Sequence, residues 1–441
     1  MKRSLKASFA AASLTALALS CIALPAAQAT EAPAQPGASF SAAASPTVDQ
    51  GYIDAVRAYF NDKVAQLDVD AETRAALQAA GASNDALLDA ASSSAVELQN
   101  LLTAAGVDRD EALDPADYQC GPTPMRDWSA GQLAQVDPDS YNWYRTGFAG
   151  LSPDLLVQYW TLMKTPQAAK DTVFGIDGKS TNEMARTWGA LQKFWDIDGS
   201  GIGLVQYDAK LLGSSDQAKA DRLFVYDGMA KVSLLSSILL MGAVEVGIAQ
   251  GKMDGFPGGE DNPLFSVNSF AIDPARSGDS QDMLETLGIT RRVAMGEGLI
   301  QVWKDLGISD AGNRAVLAHE YGHQVQYDGN LFETDITDEA EATARTELMA
   351  DAFASYFTVS KRGESLNKAY ALQNFQSFYN VGDCAFTNPN HHGTPNQRYA
   401  AAEWGADVAR LADDQGHILP SLEVADRFEK VLPIITAPDA E

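Results

Sequence analysis

The 441-residue sequence predicts an α+β fold, in which a small sheet lies above a functional centre and helices lie below it. A small all-α region precedes this domain, because the pattern from Tyr52 to about Ala105 is helical throughout. Alternating or apolar runs predict strands at residues 202–207, 265–272 and 292–296. Longer periodic runs predict helices at residues 183–196, 224–250 and 298–306.

The segment His-Glu-Tyr-Gly-His at 319–323 defines the functional centre. Residues four apart lie on one face of a helix, so His319 and His323 can offer two imidazole nitrogens to one metal ion. The apolar side chains of Val316 and Leu317 indicate that the segment is helical rather than a loop. Zinc held by two histidines, one carboxylate and a water molecule is typical of catalytic sites, and Glu320 is then placed to accept a proton from that water. The alternative is a surface helix with two solvated histidines.

The downstream segment RTELMADAFASYF supplies candidates for the remaining ligand and its supports. Its apolar residues suit a helix with a buried face, and a carboxylate in such surroundings usually needs a partner such as a metal ion. Glu347 is the best candidate for the third ligand, with a surface salt bridge as its alternative role. Asp351 lies one helical turn further along the same face, where it can accept the other N–H of a ligand imidazole.

The N-terminus has the organisation of a signal peptide. Three basic residues within the first six precede an apolar stretch at 9–24 and a small-residue cleavage site at 27–29, so residues 1–29 are predicted to be removed on export. The protein is therefore expected to be secreted or to lie in the cell envelope or periplasm. Cys21 raises the alternative of a lipoprotein, although the residues before it form a poor lipid-attachment site.

Three further segments are predicted after the signal peptide. Residues 30–48 are rich in Ala, Pro, Ser and Thr and predict a flexible linker. Residues 49–117 predict an acidic helical N-terminal region, in which Gly81 and Gly106 each end a helix. This region fits a removed pro-segment, a partner-binding module and an accessory domain equally well. Residues 118–441 form the larger α+β domain.

Charge and hydropathy exclude several kinds of partner. The chain has 59 acidic and 32 basic residues and a formal net charge of −27. Nucleic acids and anionic membranes require basic patches, so the charge argues against both. The most apolar internal stretch, 232–248, contains Glu245 and predicts a buried helix rather than a transmembrane segment.

Two cysteines, Cys120 and Cys384, remain after the predicted signal peptide. In an oxidising compartment this pair predicts a disulfide between an early segment and the C-terminal part of the chain, with two buried thiols as the alternative.

A second metal-binding pattern is weaker. Residues 196–201 (DIDGSG) resemble the start of a calcium-binding loop with Gly201 at the sixth position. Tyr207 stands at the twelfth position, where a bidentate carboxylate is required, so a helix-to-strand turn is the better interpretation.

The segments HEYGHQVQ, RTELMADAFASYF and HHGTPNQR together resemble the neutral zinc metallopeptidases of bacteria, which are gluzincin-type zincins. The segment NSFA at 268–271 is similar to the edge strand beside the active site in several zincin families. The resemblance covers residues 195–410 and implies that the larger domain is zincin-like. It also implies that the zinc ligands are His319, His323 and Glu347. Glu320 would then be the general base, and Asp351 the carboxylate that orients a ligand histidine. The chain departs from the family at Gln324, where a second histidine is common, and at Ala352, where a cysteine is common.

The segment around His392 supports two interpretations. His392 matches the family's His-Gly-Thr pattern, and a histidine beside the metal could stabilise the negative charge that develops on a carbonyl oxygen during hydrolysis. The structural interpretation is that Thr394 caps a helix begun by Pro395, while His392 and Arg398 brace the turn. The pattern does not assign a role to the neighbouring His391.

These features predict a secreted, zinc-dependent metallopeptidase that acts on a peptide or protein substrate. Two other classes stay open: a zinc-stabilised binding or envelope protein without activity, and a hydrolase of non-peptide amides. The presence of Glu320 argues against the first of these, because a purely structural zinc site does not need a base.

Overall fold

The structure is a computed structural model that describes residues 118–147, 151–277, 280–411 and 416–439, together with scattered residues between 58 and 75. The predicted signal peptide, the linker at 30–48 and most of the region 49–117 lie outside the described residues. Cys21 and the two predicted helix ends at Gly81 and Gly106 lie outside them as well.

The described part of the larger domain is mostly helical and contains one small sheet, so its fold class is α+β. The helices are α1 (Pro124–Leu133), α2 (Pro138–Thr146), α3 (Pro153–Met163), α4 (Thr181–Phe194), α5 (Asp216–Val232), α6 (Leu234–Ala249), α7 (Gln281–Thr286), α8 (Glu297–Asp305), α9 (Ser309–Gly329), α10 (Glu339–Val359), α11 (Lys368–Val381), α12 (Pro395–Leu411) and α13 (Ser421–Ile435). The strands are β1 (Gly203–Tyr207), β2 (Ser269–Ile272) and β3 (Arg292–Gly296).

The sheet has the strand order β1-β3-β2. β1 is parallel to β3 and aligns Gly203 with Arg292. β2 is antiparallel to β3 and aligns Ser269 with Met295. Within the described residues β2 is therefore an edge strand, as the resemblance at 268–271 implied.

Successive residues of the strands enter two different hydrophobic clusters. Leu204 and Val293 belong to a lower cluster with residues of α4 and α8–α13. Val205 and Ala294 belong to an upper cluster with residues of α2, α3, α5 and α6. The prediction of a sheet above and helices below was thus incomplete, because helices cover the upper face too. A parallel strand pair is normally buried on both faces, which accounts for the second layer of helices.

Two predicted elements have different bounds in the structure. The helical run predicted at 224–250 is two helices, because Ser233 has an extended backbone and its hydroxyl accepts a hydrogen bond from the backbone N–H of Ser236. The strand predicted at 265–272 is limited to β2, since Pro263–Ser266 forms a turn of 3₁₀-helix capped by Asn262. Both differences arise at helix caps, Ser233 and Asn262, and the hydrophobic periodicity of a sequence does not reveal caps.

The segment at 196–201 is the turn between α4 and β1, as the sequence predicted. The Asp198 carboxylate accepts hydrogen bonds from the backbone N–H and the hydroxyl of Ser200. The Asp196 carboxylate accepts one from the backbone N–H of Ser421 at the start of α13. These carboxylates therefore bind donors of the chain itself.

In the lower cluster, α12 packs closely against α10. Gly405 of α12 lies against the backbone carbonyl of Ala352 in α10, where a Cβ atom would overlap the carbonyl oxygen. α12 is consequently held directly behind α10. α10 in turn packs along α9, with Gly322 against Ala350.

A disulfide joins the start of the larger domain to its C-terminal part. Cys120 and Cys384 form a disulfide with a Cα–Cα distance of 6.0 Å. Part of the N-terminal region also contacts the domain, because Val64 is buried in the upper cluster and the Tyr59 hydroxyl donates a hydrogen bond to Asp227. Among the described helices, none has the length and apolarity to cross a membrane.

Glu297, at the start of α8, is a buried carboxyl group with little compensation. One carboxylate oxygen accepts a hydrogen bond from the backbone N–H of Gly175, at 3.1 Å. The other oxygen has no hydrogen-bond partner among the described residues. Burial raises the pKa of Glu297 from 4.5 to about 7, although the Gln206 side chain and the backbone N–H of Gly175 oppose this effect.

We expect this pKa to make stability depend on pH. The folded state holds the Glu297 proton more tightly than the unfolded state, so stability is full below pH 4.5 and is lost as pH rises towards about 7. Glu297→Gln stays neutral, and its free energy of unfolding should exceed the parent's by up to about 3 kcal/mol at pH 8 and match it near pH 4.5. Urea unfolding of both proteins across this range measures the difference. A constant difference at every pH would contradict the raised pKa.

Candidate metal centre

Three side chains converge between α9 and α10. His319 Nε2 and His323 Nε2 lie 3.1 Å apart. The Glu347 carboxylate oxygens lie 3.2 Å from the first nitrogen and 3.4 Å from the second. Within the described residues, these three are the group that could hold a metal ion. The two predicted histidines and the predicted carboxylate are therefore brought together.

The separations fit a single small cation. Donor atoms about 2.0–2.1 Å from a tetrahedral zinc ion are about 3.3–3.4 Å from each other, close to the distances between the three donors. Both histidines use Nδ1 for another hydrogen bond, so both Nε2 atoms present lone pairs to the same point. Facing lone pairs and a carboxylate repel unless a proton or a cation lies between them. The donor set therefore fits a resident metal ion.

Without a metal ion, a proton can take that place. Burial lowers the pKa of His319, but the carboxylates of Asp351 and Glu347 outweigh burial and raise it to about 9. Burial raises the pKa of Glu347, but His323, His392 and His319 outweigh burial and hold it well below 4.5. Metal binding at this site therefore has to release a proton.

A buried carboxylate and a guanidinium hold His319. Asp351 accepts a hydrogen bond from His319 Nδ1 at 2.8 Å. Arg398 of α12 donates two hydrogen bonds to the same carboxylate, each of 2.7 Å. The paired, bidentate geometry fixes the Asp351 carboxylate and hence the imidazole plane. Asp351 thus lies where the sequence predicted, but Arg398 braces this carboxylate rather than the turn before α12.

An amide side chain holds His323. Gln326 accepts a hydrogen bond from His323 Nδ1 at 2.7 Å and donates one to the backbone carbonyl of Thr346, also at 2.7 Å. The carbonyl fixes which end of the amide faces the imidazole. Gln326 therefore sets the tautomer of His323 and ties α9 to α10 one residue before Glu347. Sequence reasoning missed it, although it lies within the segment HEYGHQVQ.

Gln324, at which the chain departs from the family pattern, ties the same helix to the sheet. Its amide nitrogen donates to the backbone carbonyls of Ile272 and Arg292, each at 3.1 Å. Its oxygen accepts from Arg291 Nε. The side chain is fully buried, and these bonds hold α9 beneath β2 and β3.

Glu320 lies beside the ligands but does not join them. One of its oxygens accepts a 2.6 Å hydrogen bond from the Ser269 hydroxyl of β2. The other oxygen is buried and has no hydrogen-bond partner among the described residues. A buried carboxylate oxygen is rarely left without a partner, so this atom is an unused acceptor beside the three donors. Ser269 was also missed from the sequence, because a strand serine has no distinctive pattern.

A cleft opens over this centre. The edge of the sheet at 268–271 forms one wall, and His392 and Arg398 lie at another. The remaining lining is largely apolar and includes Leu299, Val316, Tyr327, Phe332, Phe378 and Val381.

His392 and His391 share one carboxylate but face different surroundings. Asp383 accepts hydrogen bonds from the backbone N–H and from Nδ1 of His392, at 2.9 and 3.1 Å. His391 Nδ1 binds the other oxygen of Asp383 at 2.5 Å, and His391 is almost fully buried. Burial lowers the pKa of His392, but Glu347 and Asp383 outweigh burial and raise it above its ordinary value.

The turn after His392 is capped as predicted. The Thr394 hydroxyl accepts from the backbone N–H of Gln397, and the Gln397 side chain accepts from the backbone N–H of Thr394. This reciprocal pair is a capping box for α12. Gly393 has a φ of 95°, which favours glycine, and it turns the chain between His392 and the cap.

Comparison of the chain with protein-family models, curated proteins and solved structures found no match. The assignment of the centre therefore depends on its own geometry, and the family resemblance stays a prediction.

We expect Glu347→Ala to lower metal affinity far more than Asp351→Ala, because the first change removes a ligand and the second removes only the partner of His319. Loss of an orienting partner typically lowers affinity about 10–100-fold. Competition of each variant with a chelator of known affinity gives the order. A reversed order would identify Asp351 as the ligand.

A second pair of variants tests Gln326. Gln326→Leu keeps the approximate size of the side chain but removes the acceptor for His323 Nδ1, so metal affinity should fall about 10-fold or more. Gln326→Glu keeps an acceptor at the same position and should bind metal more tightly than Gln326→Leu. Equal affinities of the two variants would show that Gln326 acts through packing alone.

Proposed function

We propose that this protein is a zinc-dependent metallopeptidase with a zincin-like catalytic domain. The observation that carries the proposal is the pairing of two features: a three-donor centre, and the adjacent Glu320 with one buried oxygen lacking a partner. A structural zinc site normally has four protein ligands, whereas a catalytic site leaves one position open. The three donors found among the described residues support the catalytic kind.

Zinc bound by His319, His323 and Glu347 would lower the pKa of water and polarise a carbonyl group. Glu320 then acts as general base and accepts the proton of the attacking water on its unpartnered oxygen. Ser269 holds the other oxygen and keeps the carboxylate in place. After attack on the carbonyl carbon, Glu320 passes the proton to the leaving amine.

The shape of the cleft supports a peptide substrate. Within the described residues no strand pairs with the outer edge of β2, and residues 268–271 line the cleft. An extended peptide can add to such an edge through main-chain hydrogen bonds, which places its backbone beside the centre. A small amide without an extended backbone would gain none of these bonds, so the proposal favours peptides over other amides.

His392 is proposed as the donor to the carbonyl oxygen. It lines the cleft, and Asp383 occupies its Nδ1, which leaves Nε2 for the substrate. A donor aimed at the oxygen on which charge develops stabilises the transition state. The raised pKa of His392 favours the protonated form, which is the better donor.

The signal-peptide pattern supports a secreted or periplasmic location for this activity. The disulfide between Cys120 and Cys384 agrees with an oxidising compartment.

Glu320→Gln tests the catalytic assignment. The variant should retain its zinc and its fold, because Glu320 is not a ligand, while hydrolysis of a mixed peptide library should fall by several orders of magnitude. Glu341→Gln is a matched control on the exposed surface of α10 and should behave as the parent. Zinc content is measured by elemental analysis, and activity with and without chelator.

A parent protein that carries zinc but cleaves no peptide would favour the non-catalytic zinc-stabilised class. A parent without bound metal would overturn the metallopeptidase assignment altogether.

A further inference from the structure

The turn that carries His392 is held by the Asp383 side chain and backbone, in addition to the cap of α12. Asp383 accepts hydrogen bonds on both carboxylate oxygens, one set from His391 and Ala385 and the other from His392. The backbone N–H of Asp383 binds the carbonyl of Gly393 at 3.0 Å. The carboxylate is thus immobilised between two adjacent imidazoles.

His391 has no part in the cleft itself. Its side chain is 1% exposed, and its ring packs on Phe386 with centroids 4.9 Å apart. Phe386 in turn stacks on Tyr118 at 5.1 Å. A histidine buried in an aromatic setting is costly unless its polar atoms are used, and Asp383 is the partner of its Nδ1.

The segment that begins at Tyr118 fastens this turn from outside. The disulfide joins Cys120 to Cys384, the residue directly after Asp383. Arg126 donates to the carbonyl of Gly382, and Thr123 donates to the carbonyl of Asn380. The residues on both sides of Asp383 are therefore held by the segment 118–126.

We infer that His391 and Asp383 are positioning residues, which together hold His392 with Nδ1 protonated and Nε2 directed into the cleft. His391 binds Asp383 Oδ1, and this contact keeps Asp383 Oδ2 directed at Nδ1 of His392. This inference rests on the proposed function for its effect on hydrolysis, but the hydrogen bonds exist without substrate. The hydrogen bonds of both residues go to partners other than His319, His323 and Glu347, so zinc binding should not depend on them.

Two substitutions of nearly equal size separate positioning from packing. Asparagine carries its amide nitrogen where His391 has Nδ1, so His391→Asn keeps the donor to Asp383. Leucine has a similar size and shape but no donor, so His391→Leu removes it. Both variants leave the same space against Phe386, and any difference between them reports the hydrogen bond.

The first measurement is steady-state hydrolysis of a peptide cleaved by the parent. His391→Asn should keep kcat within about threefold of the parent, whereas His391→Leu should lower kcat about tenfold or more with KM and zinc content unchanged. Asp383→Asn should lower kcat about 10–100-fold, as for other residues that orient a functional histidine. Equal kcat values for the two His391 variants, whether high or low, would overturn the inference.

The second measurement does not need activity. The chain has five histidines, so nitrogen-15 spectra of its imidazoles can be assigned by single substitutions. In the zinc-loaded parent and in His391→Asn, His392 should show a protonated Nδ1 in slow exchange with water. In His391→Leu and Asp383→Asn this proton should exchange faster.

A His392 imidazole with an unprotonated Nδ1 in the parent would overturn the inference, even if peptides are cleaved. Conversely, a parent that shows the expected Nδ1 proton but cleaves no peptide would remove the proposed function and leave the positioning of His392 intact.

Discussion

The site depends on two imidazole nitrogens, His319 Nε2 and His323 Nε2, that face each other at 3.1 Å. This arrangement is unfavourable unless a proton or a cation lies between the nitrogens, and the chain enforces it by placing an acceptor at the opposite nitrogen of each ring. His319 Nδ1 donates a hydrogen bond to Asp351, and His323 Nδ1 donates one to Gln326. The architecture is therefore that of a binding site prepared in advance, in which a proton or a metal cation relieves a repulsion that folding creates.

Each acceptor is anchored to a different part of the fold, so the site unites three helices and the sheet. Asp351 is held by Arg398 of α12, and Gln326 by the backbone of α10. Gln324 connects the motif helix α9 to two strands. The close approach at Gly405 gives α12 the position from which Arg398 can reach Asp351. A substitution that removes any of these contacts is expected to change the orientation of His319 or His323, although the substituted residue is not itself one of the three donors.

The sequence predicts the four side chains of this site that are spaced by one helical turn, and it misses most of the side chains that support them. His319 and His323, and then Glu347 and Asp351, are each four residues apart, so helical geometry alone places each pair on one face. The two strands with strong hydrophobic patterns, β1 and β3, were also predicted within about one residue. Ser269 and Arg398 reach Glu320 and Asp351 from more than forty residues away in sequence, and no local pattern encodes those contacts. The break at Ser233 was missed because a helix cap depends on one or two residues, which hydrophobic periodicity does not reveal. The helices above the sheet were missed because their position depends on the packing of the whole chain.

Charge balance explains why this set of buried groups is tolerable together. Glu320, Glu347 and Asp351 carry three negative charges when ionised, and Arg398 carries one positive charge, so the four groups sum to −2. Unpaired buried charges are strongly destabilising, which makes a site of this composition costly without further positive charge. A divalent cation at the three donors brings the sum to zero. Asp383 has partners of its own, His391 and His392, although Glu347 also contributes to the raised pKa of His392. Glu320, Glu347 and Asp351 thus form one electrostatic unit that a bound metal ion would neutralise. Asp383 holds His392 beside this unit, and the charge of His392 acts on Glu347 as well.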